Sequence, residues 1–425
     1  MTNNFKRKIK NFATLIVAYA IFATNASAQK HEIFDKNIAT LQVVAGKDWL
    51  SPPVVRLNSS MPDDRINIDF DDLTHSYRRF TYKIEHCEAD WKTSQQVFES
   101  DFIDGFYDGN TIDDYEESIN TNTHYTHYSL TIPNEKCRLK MSGNYKLTVY
   151  DENNDEQPVL TACFMVVEPL MNIGMNVTTN TDIDFSRSHQ QINMQVNYGS
   201  LRVTDPMSQI KTIVMQNGRY DNAKINAKPQ IIMADGLRWE HNRELIFSAG
   251  NEYHKYEILD VGHPTMGIDK IEWDGQRYHV YPFTCEPRPN YIYDEDANGS
   301  FYIRNSDNIE NETASEYVIV HYTLKCPQPV NGEVYINGTW TNNRFTPEYK
   351  MTYDAINKCY RAAIMQKQGY YSYQFVLMGN DGKTKSMPTE GDYYQTENKY
   401  QALVYYRGPG ERTDRLVSYR QIQLK

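Results

Sequence analysis

Apolar and polar residues alternate with a period of two along most of the apolar-rich runs of this chain. A chain patterned that way folds into sheets with one buried and one exposed face. The pattern is plain in residues 65–70 (RINIDF), 82–91 (YKIEHCEADW) and 142–153 (SGNYKLTVYDEN), and it restarts at 190–198, 316–324 and 370–378. No stretch keeps a helical period for more than two turns. Tyrosine, at 33 copies beside 16 Phe, suits the half-buried surface of such strands. A chain of 425 residues is too long for one sandwich, and turn-rich stretches divide it. The expected fold is therefore all-β, with three consecutive immunoglobulin-like or early-set β-sandwich domains. Their bounds are expected at 29–169, 170–304 and 305–425, the last being early-set-like. Residues 158–169 form a near-continuous apolar run, as a strand buried on both faces does. Asn217-Gly218 is a tight-turn dipeptide.

One segment breaks the economy of this pattern. Residues 99–118 carry eight carboxylates and no Lys or Arg between two strand-like runs, where about 4–6 residues would close a connection. Phe102, Phe106, Tyr107 and Tyr115 are scattered among the acids. Aromatic anchors within a charged rim are the composition of a docking surface. On that reading Phe102, Phe106, Tyr107 and Tyr115 are the anchors, and Asp101, Asp104, Asp113 and Asp114 the rim. The competing reading folds the segment over its own sandwich edge, with the aromatics inside. The acids could also hold calcium, but they equally keep an exposed aromatic loop in solution.

The first 28 residues read as a signal peptide. Lys6, Arg7, Lys8 and Lys10 precede an apolar run, and Ala26, Ser27 and Ala28 supply a small-residue cleavage pattern. The mature chain is expected to begin at Gln29, without a lipid-bearing cysteine. Its formal charge then moves from −11 to −15, because four basic residues and no acids are lost. A diffuse negative charge argues against nucleic acid or anionic lipid as a partner. No later segment is long and apolar enough for a membrane-spanning helix.

Catalytic signatures are missing: no GxSxG elbow, HExxH, phosphate-binding glycine loop or dinucleotide fingerprint occurs. No enzyme activity, metal or cofactor is expected. His124 and His127, three apart in an extended segment, point to opposite faces. Asp294, Asp296, Asn298 and Gly299 copy half a calcium loop, but Asn305 stands where a bidentate Glu is required. The six Cys contain no CxxC pair, and Cys326 with Cys359 is a conceivable disulfide in an exported chain. The third unit weakly resembles the early-set sandwiches of glycogen- and starch-active enzymes, with Trp340 the one candidate sugar platform.

Several of these pieces together carry a more specific resemblance. Residues 82–91, the run 120–133 (NTNTHYTHYSLTIP), 142–151, 216–223 (QNGRYDNA), 250–258 and 400–419 (YQALVYYRGPGERTDRLVSY) are similar, in kind and order, to the plug proteins of the type IX secretion system of Bacteroidota. His254 and Lys255 depart from the family pattern, as does Ser418 where Gly is expected. The resemblance implies a non-catalytic periplasmic protein. Its implied partner is the single-chain outer-membrane translocon barrel (SprA/Sov-like), whose periplasmic end it stoppers while no cargo is engaged. A glycan-binding sandwich protein, or a type IX cargo with a C-terminal sorting domain, are the alternatives.

Overall fold

The computed structural model describes residues 31–61, 63–154 and 157–424. The expected signal peptide and its cleavage site lie outside the described residues. The protein is all-β: among the described residues no α-helix exceeds four residues. The strands build sandwich units around separate cores.

The first unit packs a sheet containing Phe80–Cys87, Gly143–Asp151 and Gln157–Val167 against one containing Ile38–Ala45, Ile66–Asp72 and Thr126–Ile132. Alternation decides the faces. Ile66, Ile68 and Phe70 point inward and meet Tyr82, Ile84, Tyr128 and Leu147 in one core. From Val159 onward Gln157–Val167 is covered on both faces, as its near-continuous apolar run predicts. Phe164 and Val166 face their own sandwich, whereas Cys163, Met165 and Val167 join Trp91, Ile213, Met215, Leu403 and Tyr405 in a seam with the next unit.

Strand pairing beyond residue 170 does not follow the expected consecutive bounds. The middle sandwich takes Asn172–Thr178, His189–Asn197 and Ile210–Gln216, and is completed by the last two strands, Lys399–Tyr406 and Arg415–Gln423. Ile210 to Gln216 runs antiparallel to Tyr400–Tyr406, nearly two hundred residues later in the chain. The third sandwich is inserted between these halves. It runs from His254–Ile258 to Thr384–Ser386 and includes Tyr278–Pro282, Tyr317–Lys325, Cys359–Lys367 and Gly369–Met378. Residues 253–303, expected in the middle unit, thus belong to the inserted one, and 399–423 to the middle. The physical reason is that alternation marks a strand but carries no record of its partner, which long-range register decides. The Asn217-Gly218 turn forms as expected, with φ of 54° and 68° at its two residues, joining Ile210–Gln216 to Arg219–Ile225.

A buried polar cluster joins the first unit to the inserted one. Lys367 Nζ donates to Asp71 Oδ2 at 2.7 Å and to the Glu312 carbonyl at 2.6 Å, with both charged side chains at most 1% exposed. Tyr317 Oη donates to the same Asp71 oxygen at 2.6 Å, and His127 Nδ1 lies 2.7 Å from the other. The Tyr125 ring sits under the ammonium at 4.2 Å. Burial opposes the Asp71 charge, but Lys367 and His127 outweigh it and hold the carboxyl below its usual range. Burial likewise opposes the His127 charge, and Asp71 outweighs it and raises that imidazole.

Removing one member of a buried pair strands the other. Lys367→Met is expected to cost about 3–5 kcal/mol in denaturant unfolding, and the Asp71→Asn/Lys367→Met double variant less than the single change. Asp71 contributes stability above the unfolded carboxyl pKa and loses it as pH falls through the lowered folded value. His127 contributes below the unfolded imidazole pKa and loses it as pH rises through the raised one. Both contributions are in place between roughly pH 4 and 6.5, so the stability lost in the double variant relative to wild type is expected to be largest there.

Candidate docking surface

The acidic segment is stitched to the first sandwich at three points. After one helical turn, Glu99–Phe102, the strand Ile103–Gly105 pairs with Cys137–Leu139. Asn110–Thr111 then adds to the edge of Phe80–Cys87, and Asp114–Glu117 to the edge of Thr126–Ile132. Gly105, at φ 106°, is required here because a Cβ would lie 2.2 Å from the Lys136 carbonyl oxygen. The segment is thus the covering of two sheet edges as well as a surface.

The expected anchors divide. Phe102 is buried at 5% exposure, in the core with His86 and Tyr145. This corrects the expectation that it docks, since a ring packed there reaches no partner without unfolding the turn. Tyr107 is half-buried against the same core, and its carbonyl accepts from Ile84 N at 2.8 Å. Phe106 points outward at 70% exposure. Tyr115 is 43% exposed and lies between Tyr77, 4.9 Å away by ring centroid, and Tyr128 at 5.8 Å. The helical turn Glu99–Phe102 turns Phe102 into the core, whereas Phe106 follows the short pairing of Ile103–Gly105 with Cys137–Leu139 and stays outside.

The rim divides as well. Asp104 and Asp114 are exposed. Asp113 is exposed too, and pairs with Lys136 Nζ at 2.6 Å. Asp101 is half-buried; it accepts from Phe98 N at 2.8 Å and from Arg412 Nη2 at 2.7 Å. The Phe98 N–H bond and then Arg412 hold the Asp101 carboxyl below its usual range. Lys136 does the same for Asp113. Among the described residues the other six carboxylates of the segment form no ion pair. The surface therefore keeps a net negative charge around Phe106 and Tyr115. Asp114, Glu116 and Glu117 also lie on an outermost strand whose four residues are all exposed, where charge discourages edge-to-edge pairing.

Sequence reading missed what holds this surface in place. The loop 407–414, between the last two strands, reaches across to the first unit. Arg407 pairs with Glu88, and Asp414 Oδ2 accepts from Ala89 N at 3.0 Å and Lys211 Nζ at 2.7 Å. Arg412 pairs with Asp101 and covers the Phe98 ring at 5.8 Å. The alternation of Arg and acid in 407–415 was its only sequence signal. The other candidates are structural. Trp340 is stacked on Tyr322 and donates to the Ser372 carbonyl at 3.1 Å, so it offers no open sugar platform. Asp296 accepts from the backbone N–H groups of Tyr253 and Asn298. His124 stacks on His75 while His127 faces Asp71. All six cysteines are buried, and Cys87, Cys137, Cys285, Cys326 and Cys359 are free thiols.

Residues 38–168, which hold the whole acidic segment, match the family model described as type 9 secretion system plug protein 1st domain. The chain belongs to the type 9 secretion system plug protein family. The crystal structure of a hypothetical protein from Parabacteroides merdae is similar to this plug-family chain at 38% identity and a TM-score of 0.89, covering 93% of this chain and 99% of that one. The arrangement of units is thus common to both proteins. Collagen adhesin from S. aureus aligns over 91% of this chain and 92% of its own at 8% identity, and its TM-score of 0.13 is too low to bear on the fold. No curated protein sequence matches the chain.

Burial separates core from surface within one segment. Phe102→Ala is expected to cost about 3–5 kcal/mol, the range for emptying a buried aromatic site. Phe106→Ala should stay within about 0.5 kcal/mol of wild type. Urea unfolding of the two variants checks this, and equal losses would contradict the assignment.

Proposed function

We propose that this plug-family chain is a non-catalytic periplasmic stopper that binds the periplasmic mouth of the type IX outer-membrane barrel, SprA/Sov-like, and seals it when no cargo is engaged. One observation carries the contact surface: exposed aromatics, Phe106 and Tyr115, lie among mostly unpaired carboxylates on a segment whose first turn is tied down by the loop 407–414. Few apolar anchors within a charged rim suit a contact that is firm yet releasable. The anchors supply affinity, and the rim charges set association rate and salt dependence. No helix among the described residues is long and apolar enough to cross a membrane, which agrees with attachment through a protein partner.

The experiment is co-purification of tagged protein with the barrel from solubilised outer membranes. The Phe106→Ala/Tyr115→Ala variant is expected to lose most of the co-purifying barrel while its melting temperature stays within about 3 °C of wild type, as surface changes allow. Asp104→Asn/Asp114→Asn should chiefly reduce the salt sensitivity of association. Unchanged recovery of the barrel with the aromatic variant would rule this surface out as the contact. Absence of the barrel from the wild-type sample would overturn the stopper reading itself.

A further inference from the structure

Four stretches of chain meet where the middle unit hands over to the inserted one. Cys285 Sγ lies 3.6 Å from His254 Nδ1 and 3.4 Å from Tyr373 Oη. On the other side of the imidazole, Nε2 is 2.9 Å from Glu390 Oε2, which also holds the Arg288 guanidinium. The His254 ring stacks on Tyr373 at 5.4 Å and abuts Phe375, so its plane is fixed. The backbone ties the cluster to the joint: Arg288 Nη1 donates to the Glu252 carbonyl at 2.8 Å, and Asn251 Nδ2 to the Glu390 carbonyl at 2.7 Å. No other carboxylate or cation contacts the imidazole or the thiol among the described residues.

A buried thiol in apolar surroundings is inert, and the other five cysteines, at 0–4% exposure, fit that description. Cys285 does not. At 9% it is the least covered of the six, with exposed Phe283 and Glu286 on either side. Its neighbours also form a charge ledger. Glu390 is 95% buried, and its Oε1 has no hydrogen-bond partner. A carboxylate so placed favours a second full positive charge beside Arg288, and the imidazolium of His254 supplies it. Cys285 Sγ faces this imidazole at Nδ1 and the Tyr373 hydroxyl, two groups able to donate a hydrogen bond to sulfur. Burial works against the His254 charge, but Cys285 and Glu390 overcome it and raise that imidazole to about 9.

We propose that Cys285, His254 and Glu390 form a thiolate–imidazolium–carboxylate site at which small electrophiles, peroxides among them, modify Cys285 selectively. With hydrogen peroxide the thiolate sulfur attacks one peroxide oxygen and the O–O bond breaks. The departing hydroxide takes the proton from His254 Nδ1, leaving a Cys285 sulfenic acid, a neutral imidazole and water. Sulfur loses two electrons and the peroxide gains them. The site takes a small reagent rather than a polypeptide, because Cys285 is only 9% exposed. Oxidation would remove the thiolate and the imidazolium together from the point where the two units join. This inference does not depend on the docking reading.

The test is peptide mass mapping of all six thiols in the full chain. One sample receives limiting iodoacetamide and another hydrogen peroxide with dimedone as the sulfenic-acid trap. At about pH 7 Cys285 is expected to alkylate at least about tenfold faster than Cys326 and Cys359, and to carry the dimedone adduct, because the thiolate is the reacting form. His254→Gln should slow Cys285 by about tenfold and make its rate climb with pH, leaving the other five unchanged. Glu390→Gln should fall between. Wild-type Cys285 reacting no faster than Cys326 and Cys359 would overturn the proposal, and this comparison needs no variant to fold. So would an unchanged Cys285 rate in a folded His254→Gln protein, with folding checked by circular dichroism.

Discussion

An ammonium and a carboxylate with no access to water, 296 residues apart in the chain, set the geometry of this molecule. Lys367 and Asp71 reside on strands of different sandwiches, so the Lys367 charge meets this carboxylate only where those sandwiches dock in one register. A buried pair of this kind adds little net stability over an apolar contact, but it penalises every alternative docking that leaves a charge unpaired. Tyr317, His127 and the Glu312 carbonyl close the remaining valences, which is what makes the cluster tolerable in a low-dielectric interior. The joint is thereby specified by polar groups and held by the apolar contacts around it.

The discontinuity of the middle sandwich follows the same logic at larger scale. Its sheet is complete only after Lys399–Tyr406 returns to pair with Ile210–Gln216, so the inserted unit is held at two crossings rather than one. The strand Gln157–Val167 shares its outer face with the middle unit through a seam of Trp91, Met215 and Tyr405. Then the loop after Tyr406 reaches back to Glu88, Asp101 and Ala89. Each unit is therefore tied to another by contacts from distant parts of the chain. The acidic aromatic segment of such a body is held at a fixed angle to the other units.

The sequence carries local information well and pairing information poorly. Alternation in 65–70 and 82–87 made the first sandwich legible, and the near-continuous run at 158–169 announced a strand buried on both faces. The same signal was blind to the insertion. Residues 253–260 and 400–407 both read as strands, and nothing in either says that the first belongs with Gly369–Met378 and the second with Ile210–Gln216. The docking segment shows the same limit at smaller scale. Composition singled out its aromatics and acids, but whether a ring at 102 or at 106 faces solvent depends on the turn at Glu99–Phe102 and on the pairing with Cys137–Leu139. Lys367 and Asp71 were invisible as a pair because each sits among ordinary strand residues. The Cys285–His254–Glu390 meeting was equally hidden, drawn from residues 31 and 136 positions apart.

The units form one body, so their joints should not open before their cores melt. Differential scanning calorimetry of the full chain tests this, because independent sandwiches unfold as separate events whereas coupled ones share a transition. One endotherm is expected, with calorimetric and van't Hoff enthalpies that agree. Two or three resolved endotherms in the wild-type protein, or a calorimetric enthalpy several times the van't Hoff value, would contradict it.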